Sequence, residues 1–308
     1  MTRTATRGPW RGVLVAQTTP FTPDLQIDRP AVHAHARLLI DEGIHGLVSG
    51  GSLGEGATLS TDERVTLVEE LVGVVEGRVP VIAAIAASRT SDGIDLARRS
   101  ARAGASGLLI LPPYVYRTDR RETLAHFSAV LGATSLPCML YNNPAAYGTD
   151  VVPDQILALA EQHSVLTGVK ESSGDVRRIT AIHALLGDRL DIAVGLDDAI
   201  LEGTRAGAVG WVAGLANAFP AASVELYRRA LAGPPERANE LYAWFLPLLR
   251  MDTGVKFVQE IKFVQSEVGH GSARVRPPRL ELEGEELAAA RETVQQALAR
   301  PPPGVRLR

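Results

Sequence analysis

Eight short apolar runs, each followed by an amphipathic helical stretch, constrain this chain more than any other feature. They lie at 12–16, 46–49, 79–84, 107–111, 137–141, 166–170, 191–194 and 207–213. The runs show little polar alternation, as expected of strands covered on both faces of a parallel sheet. Helical patterns fill the gaps at about 30–43, 61–76, 91–103, 119–132, 153–162, 174–186 and 197–206. Ser60-Thr61-Asp62-Glu63 and Pro153-Asp154 carry helix-start signals, and glycines such as Gly104 and Gly207 suit helix ends. Eight strands alternating with helices predict an α/β fold, a (β/α)8 TIM barrel. A doubly wound open sheet would want a glycine-rich phosphate turn after the first strand, and residues 13–19 contain no glycine.

After residue 218 the rhythm changes to helices alone, at 221–232, 235–249, 253–268 and 284–300. The expected organisation is a barrel over 1–218 that carries the site, with 219–308 as a C-terminal helical extension of the same unit. Pro277-Pro278 interrupts that extension, and the segment from Pro301 to Gly304 reads as a frayed tail.

Composition narrows the function classes. The net charge is −3, from 35 acidic and 32 basic residues without a long basic block, so neither nucleic acid nor an anionic membrane is an expected partner. Cys138 is the only cysteine, which excludes an intrachain disulfide and a thiolate metal cluster; inside an apolar run it reads as an inert core residue. The basic start of the chain leads into Gly8-Pro9-Trp10 rather than an apolar stretch, and no run approaches the roughly 18 residues of a membrane span. A cytoplasmic protein is expected. There is no dinucleotide fingerprint and no P-loop, and His33 and His35 are spaced to diverge on a helix, so neither cofactor nor metal is expected.

Only three of the 32 basic residues are lysines, namely Lys170, Lys256 and Lys262. Lys170 closes the sixth apolar run and should emerge at the C-terminal rim of the barrel, where such folds place their chemistry. One reading pairs it with Glu171 or Asp175 at the surface. The other makes it a partly desolvated amine of lowered pKa that attacks a carbonyl, which arginine cannot do because it stays protonated. Tyr141 ends the neighbouring strand and is either a proton-transfer group for that amine's adducts or a core aromatic. Gly50-Gly51 before Ser52 would let backbone amides and the serine hydroxyl approach a small anion, or form a tight turn. Asp197-Asp198 reads best as the cap of the following helix.

Together, Gly51-Ser52-Leu53-Gly54-Glu55, Tyr141-Asn142-Asn143-Pro144, Lys170-Glu171-Ser172-Ser173-Gly174-Asp175 and Gly207-Ala208-Val209-Gly210 resemble the dihydrodipicolinate synthase/N-acetylneuraminate lyase family from about residue 10 to 295. The resemblance implies a class I, Schiff-base lyase, usually a homotetramer without cofactor. It implies Lys170 as the imine-forming lysine and Tyr141 as the proton-transfer tyrosine. Ser52 and Leu53 would hold the carboxylate of a 2-oxo acid, and Val212 would line the pocket.

Three departures stand out. Leu53 stands where dihydrodipicolinate synthases usually carry a second threonine. Val115 stands where a second relay tyrosine is usual, though Tyr114 and Tyr116 flank it. Ala146 stands five residues past Tyr141, where an arginine usually binds the aspartate-semialdehyde carboxylate. A missing charge-assisted partner weakens binding by about 1.5–3 kcal/mol, so dihydrodipicolinate synthase activity is expected to be negligible. The segments 141–148 and 211–220 look most like 1-pyrroline-4-hydroxy-2-carboxylate deaminases of hydroxyproline catabolism, which yield 2-oxoglutarate semialdehyde and ammonia. The expected ligand is accordingly a small 2-oxo acid or cyclic imine carboxylate. Two alternatives stay open: an aldolase or dehydratase acting on another 2-oxo acid, such as 2-keto-3-deoxy sugar acids or 4-hydroxy-2-oxoglutarate, and a non-catalytic 2-oxo-acid-binding barrel.

Overall fold

The computed structural model describes residues 8–113 and 117–302. Strands β1 (Gly12–Ala16), β2 (Gly46–Ser49), β3 (Val81–Ile85), β4 (Gly107–Ile110), β5 (Cys138–Asn142), β6 (Leu166–Glu171), β7 (Asp191–Val194) and β8 (Gly210–Ala213) close into a parallel barrel in sequence order. The expected (β/α)8 barrel is therefore the fold. The intervening helices are α1 (Arg29–Asp41), α2 (Thr61–Val75), α3 (Thr90–Arg102), α4 (Arg120–Leu131), α5 (Pro144–Tyr147), α6 (Pro153–Gln162), α7 (Arg177–Leu186) and α8 (Ile200–Arg205).

Local signals explain several boundaries. Ser60 accepts from the Glu63 amide at 3.1 Å while Glu63 accepts from the Ser60 amide at 2.8 Å, a reciprocal cap that starts α2. Asp119 and Glu122 start α4 in the same way. The last strand begins at Gly210 rather than 207, because Gly207 and Ala208 still bond back to the final turn of α8.

One tryptophan builds the floor of the barrel. Trp10 is fully buried, and its indole N–H donates to Thr167 at 2.8 Å. Glycines on alternate strands make the room: a Cβ at Gly107 or Gly168 would lie 2.7 or 2.8 Å from the indole, and one at Gly210 would lie 2.1 Å from the Trp10 carbonyl. Above the floor, Leu14, Val48, Ile82, Leu109, Met139, Ala193 and Val212 fill the interior. Truncating Trp10 to alanine would be expected to cost about 3–5 kcal/mol, because such a site cannot collapse.

Helices α9 (Pro220–Ala232), α10 (Pro235–Leu249), α11 (Phe257–Glu267) and α12 (Gly284–Ala299) follow the barrel. The pattern at 253–268 becomes helical only at Phe257, because residues 253–256 form a turn and bend that follow the 3-10 turn at Arg250–Asp252. No helix among the described residues is long and apolar enough to cross a membrane.

Candidate active site

Strand alternation decides which way Lys170 points. Gly168 lies against Trp10, so Lys170, two residues further along β6, faces the same interior roughly 6–7 Å higher. Its register partners are Tyr141 on β5 and Ala193 on β7, both also turned inward. The amine stands 4.2 Å from the centroid of the Tyr141 ring and forms no hydrogen bond or ion pair among the described residues. Burial pushes its pKa below the ordinary lysine value, against the opposing fields of Asp252, Tyr147 and Asp197.

The surface-pair reading of Lys170 does not hold. Glu171 points away, accepting from the Asn142 side chain at 3.1 Å and from the Ser173 amide at 2.6 Å, and Asp175 pairs with Arg177 at 2.7 Å. Space for the lysine stem comes from Gly195, just past β7. A Cβ there would lie 2.5 Å from Lys170 Cε and 2.0 Å from Ser172 Oγ.

Tyr141 is buried, and its hydroxyl accepts from Asn143 Nδ2 at 3.2 Å. The same asparagine accepts from the Ala146 amide at 3.0 Å, capping the single turn of α5. Pro144 at the first helical position and Gly148 in the left-handed conformation (φ +69°) complete this short helix. The turn aims Tyr147 back toward the barrel mouth. There its ring meets Tyr141 edge to face at 5.6 Å, and its hydroxyl hydrogen-bonds the Ser52 hydroxyl. Burial raises the pKa of both phenols.

Ser52 and Leu53 lie in the turn after β2. Gly54 and Gly56 are required there, since a Cβ would come within 2.7 Å of the Gln17 carbonyl or 2.1 Å of the Gly50 carbonyl. The Ser52 hydroxyl, expected to face a carboxylate, is instead turned to Tyr147. The Ser52 and Leu53 amides donate to no acceptor among the described residues, which leaves two N–H groups for an anion. The turn is anchored from behind by Glu55, whose carboxylate accepts from Lys262 Nζ at 2.7 Å and from the Arg276 amide at 3.0 Å. Lys262, fully enclosed, also donates to the Thr19 carbonyl at 2.9 Å. It is a buried lysine with a full set of partners, whereas Lys256 is paired with Glu286 at the surface.

Val212 lies inside the barrel, in the same interior cluster as Tyr141 and Ala193. Beside it the structure corrects one expectation. Asp197 is not a cap of α8 but a fully buried acceptor, receiving Trp211 Nε1 at 2.8 Å and the Leu215 amide at 2.7 Å. Its pKa is pushed up to about 6, chiefly by burial. Asp252, from the turn before α11, reaches the same corner and fits only because residue 214 is glycine: a Cβ there would lie 1.9 Å from its carboxyl oxygen. Burial and Asp197 raise the Asp252 pKa well above its ordinary value, against the lowering field of Lys170. Asp252 was not anticipated from sequence.

The other singled-out residues take no part. His33 pairs with Glu70, while His35 is buried against the Asn217 carbonyl with a pKa lowered to about 4. Burial pushes the Cys138 thiol up to about 12. Among the described residues no group of three or more His, Cys, Asp or Glu is placed to hold a metal ion. Tyr114, Val115 and Tyr116 lie outside the described residues. Arg117 is exposed beside Gly148, 3.8 Å from where a Cβ would stand.

Comparison with known proteins agrees with this architecture. The model of the dihydrodipicolinate synthetase family matches residues 9–297. The 4-hydroxy-tetrahydrodipicolinate synthase of Methanopyrus kandleri is 33% identical over 290 residues, 94% of each chain. The structure of the 4-hydroxy-tetrahydrodipicolinate synthase of Methylacidiphilum fumariolicum superposes with a TM-score of 0.88 at 31% identity, covering 94% of this chain and 97% of that one. The dihydrodipicolinate synthase of Acinetobacter baumannii, in complex with pyruvate, superposes with a TM-score of 0.89 at 28% identity, covering 93% and 98%.

Proposed function

The chain belongs to the dihydrodipicolinate synthetase family, a family of class I, Schiff-base lyases, and on that footing we propose that Lys170 forms an imine with a small 2-oxo acid or its cyclic imine equivalent. The observation that carries this reading is the desolvated Lys170 amine over the Tyr141 ring, without a hydrogen-bond or ion-pair partner among the described residues. An amine in that setting is a nucleophile near neutral pH, and a phenol beside it serves proton transfer. The Ser52 and Leu53 amides would receive the carboxylate next to the reacting carbon, and Val212 would line the pocket. On this reading the barrel of 1–218 supplies the reacting groups and the extension of 219–308 completes the same unit, probed by limited proteolysis. We further assign a homotetramer, tested by light scattering, and a cytoplasmic location.

For the substrate, the deaminase reading remains the one we favour. Lys170 would attack C2 of 1-pyrroline-4-hydroxy-2-carboxylate and open the ring. Loss of a C3 proton would give an enamine that expels the C4 hydroxyl as water, tautomerisation would turn the C5 amine into an imine, and hydrolysis would release ammonia and 2-oxoglutarate semialdehyde. No second carboxylate needs a partner. The α5 segment supplies none, since Ala145 and Ala146 are exposed alanines. A second reading is 4-hydroxy-tetrahydrodipicolinate synthesis from pyruvate and aspartate semialdehyde. The names of the relatives favour it, and Arg117 beside Gly148 is a cation within reach of the site's edge. Comparing kcat/KM for hydroxy-pyrroline carboxylate, 4-hydroxy-2-oxoglutarate and a 2-keto-3-deoxy sugar acid, beside the coupled synthase assay, decides between them. Synthase turnover of about 1–1000 per second would overturn the deaminase reading and leave the imine intact.

A further inference from the structure

Glu55 holds its backbone at φ +57° and ψ +30°, the left-handed region that glycine adopts freely and other residues adopt under strain. Glycines flank it at 54 and 56, yet this position carries an acidic side chain in a fully buried residue. Strain of that kind persists only where the surroundings over-determine it. Here the C-terminal extension does so. One carboxylate oxygen accepts from Lys262 Nζ on α11 at 2.7 Å, and the other from the Arg276 amide at 3.0 Å. The Arg276 guanidinium also donates to the Thr58 carbonyl at 3.0 Å, just past the turn.

The turn's own hydrogen bonds carry that hold forward. The Glu55 amide donates to the Ser52 carbonyl at 3.1 Å, and the Gly56 amide to the Gly51 carbonyl at 2.9 Å. A trans peptide unit is planar, with its carbonyl and its N–H pointing opposite ways. The Ser52 carbonyl shares its plane with the Leu53 N–H, and the Gly51 carbonyl shares its plane with the Ser52 N–H. Drawing both carbonyls in toward Glu55 and Gly56 therefore turns both N–H groups out, away from the anchor. Thr19 steadies the next unit, its hydroxyl donating to the Gly54 carbonyl at 2.6 Å. Lys262 in turn donates to the Thr19 carbonyl at 2.9 Å, so one amine fastens the turn and the loop after β1 together.

We propose that Glu55 is a positioning residue, through which Lys262 and Arg276 of the extension aim the Ser52 and Leu53 amides at the substrate carboxylate. This deepens the reading that those two amides receive the carboxylate, and rests on it. Without the anchor Glu55 loses the partners that hold it left-handed, and the two peptide planes gain freedom to rotate. A hydrogen bond weakens steeply once its angle falls below about 120°, so a modest rotation is enough to lose it. A plain fold anchor would weaken every reaction of Lys170 alike. An aimed pair of amides changes only what the carboxylate contributes.

The test compares two ketones that differ in the group meeting the turn: pyruvate, with a carboxylate, and acetone, with a methyl. Borohydride trapping on Lys170 is followed against the concentration of each. Glu55→Gly relieves the left-handed backbone and removes the anchor. It is expected to raise the half-saturating pyruvate concentration about 10-fold, the weight of one misaligned hydrogen bond to a charged group, while acetone trapping stays within about two-fold. Glu55→Gln combined with Lys262→Met removes both charges at similar volume. It should show a smaller rise for pyruvate alone, and it carries the test if Glu55→Gly does not fold. An unchanged pyruvate value in whichever variant folds, or equal losses for both ketones, would overturn the proposal. If pyruvate half-saturates the unmodified protein at no lower concentration than acetone, the carboxylate reading beneath the proposal falls instead.

Discussion

The Cα of Gly195 faces the stem of Lys170 so closely that a Cβ built on it would stand 2.5 Å from Cε and 2.8 Å from Cγ. The residue has no left-handed backbone to explain it, so the demand is for space alone. Gly195→Ala is expected to fold, since overpacking of this kind costs about 1–3 kcal/mol. The displaced amine should then form its adduct about 100-fold more slowly, the loss that follows a misplacement of about 1 Å. Time-resolved borohydride trapping measures it, and an unchanged rate would show that Lys170 reacts from another rotamer.

Asp252 reaches Lys170 from outside the barrel, and its field raises the lysine pKa against the lowering effect of burial. Removing the ionised form of Asp252, which the Lys170 charge favours, leaves burial opposed only by Tyr147 and Asp197. In Asp252→Asn the Lys170 pKa should fall further. Because the neutral amine is the nucleophile, imine formation should then begin its rise at lower pH than in the unmodified protein. A pH profile of trapping rates tests this, and a rise displaced to higher pH contradicts it.

The Lys262–Glu55 pair is enclosed and has little solvent to fall back on. Lys262→Met strands the Glu55 carboxylate, so urea unfolding should show a loss of about 3–5 kcal/mol. Adding Glu55→Gln removes the stranded charge and should return part of that loss. If the double variant is less stable than the single one, the pair is not what holds this corner together.

Much of this arrangement was legible in the chain itself, because it depends on local pattern. The buried runs, the Ser60 cap and the strand-end position of Lys170 all follow from residues within a few places of one another. What escaped depends on distance. The four residues of α5 are too few to show a helical period, so nothing marked the one turn that returns Tyr147 to the site. Asp197 has the spacing of a cap, yet its partners Trp211 and Leu215 come from the following strand and its loop. Asp252 lies 82 residues beyond Lys170 and matters only because Gly214 leaves room for it. Lys262 lies 207 residues from Glu55, through which it is tied to the turn after β2.

The central claim is that Lys170 is the nucleophile, and borohydride reduction in the presence of pyruvate, followed by peptide mass mapping, tests it most directly. The account predicts one adduct on the peptide containing Lys170 and none after Lys170→Ala. An adduct on Lys256 or Lys262, or full activity in Lys170→Ala, would contradict it.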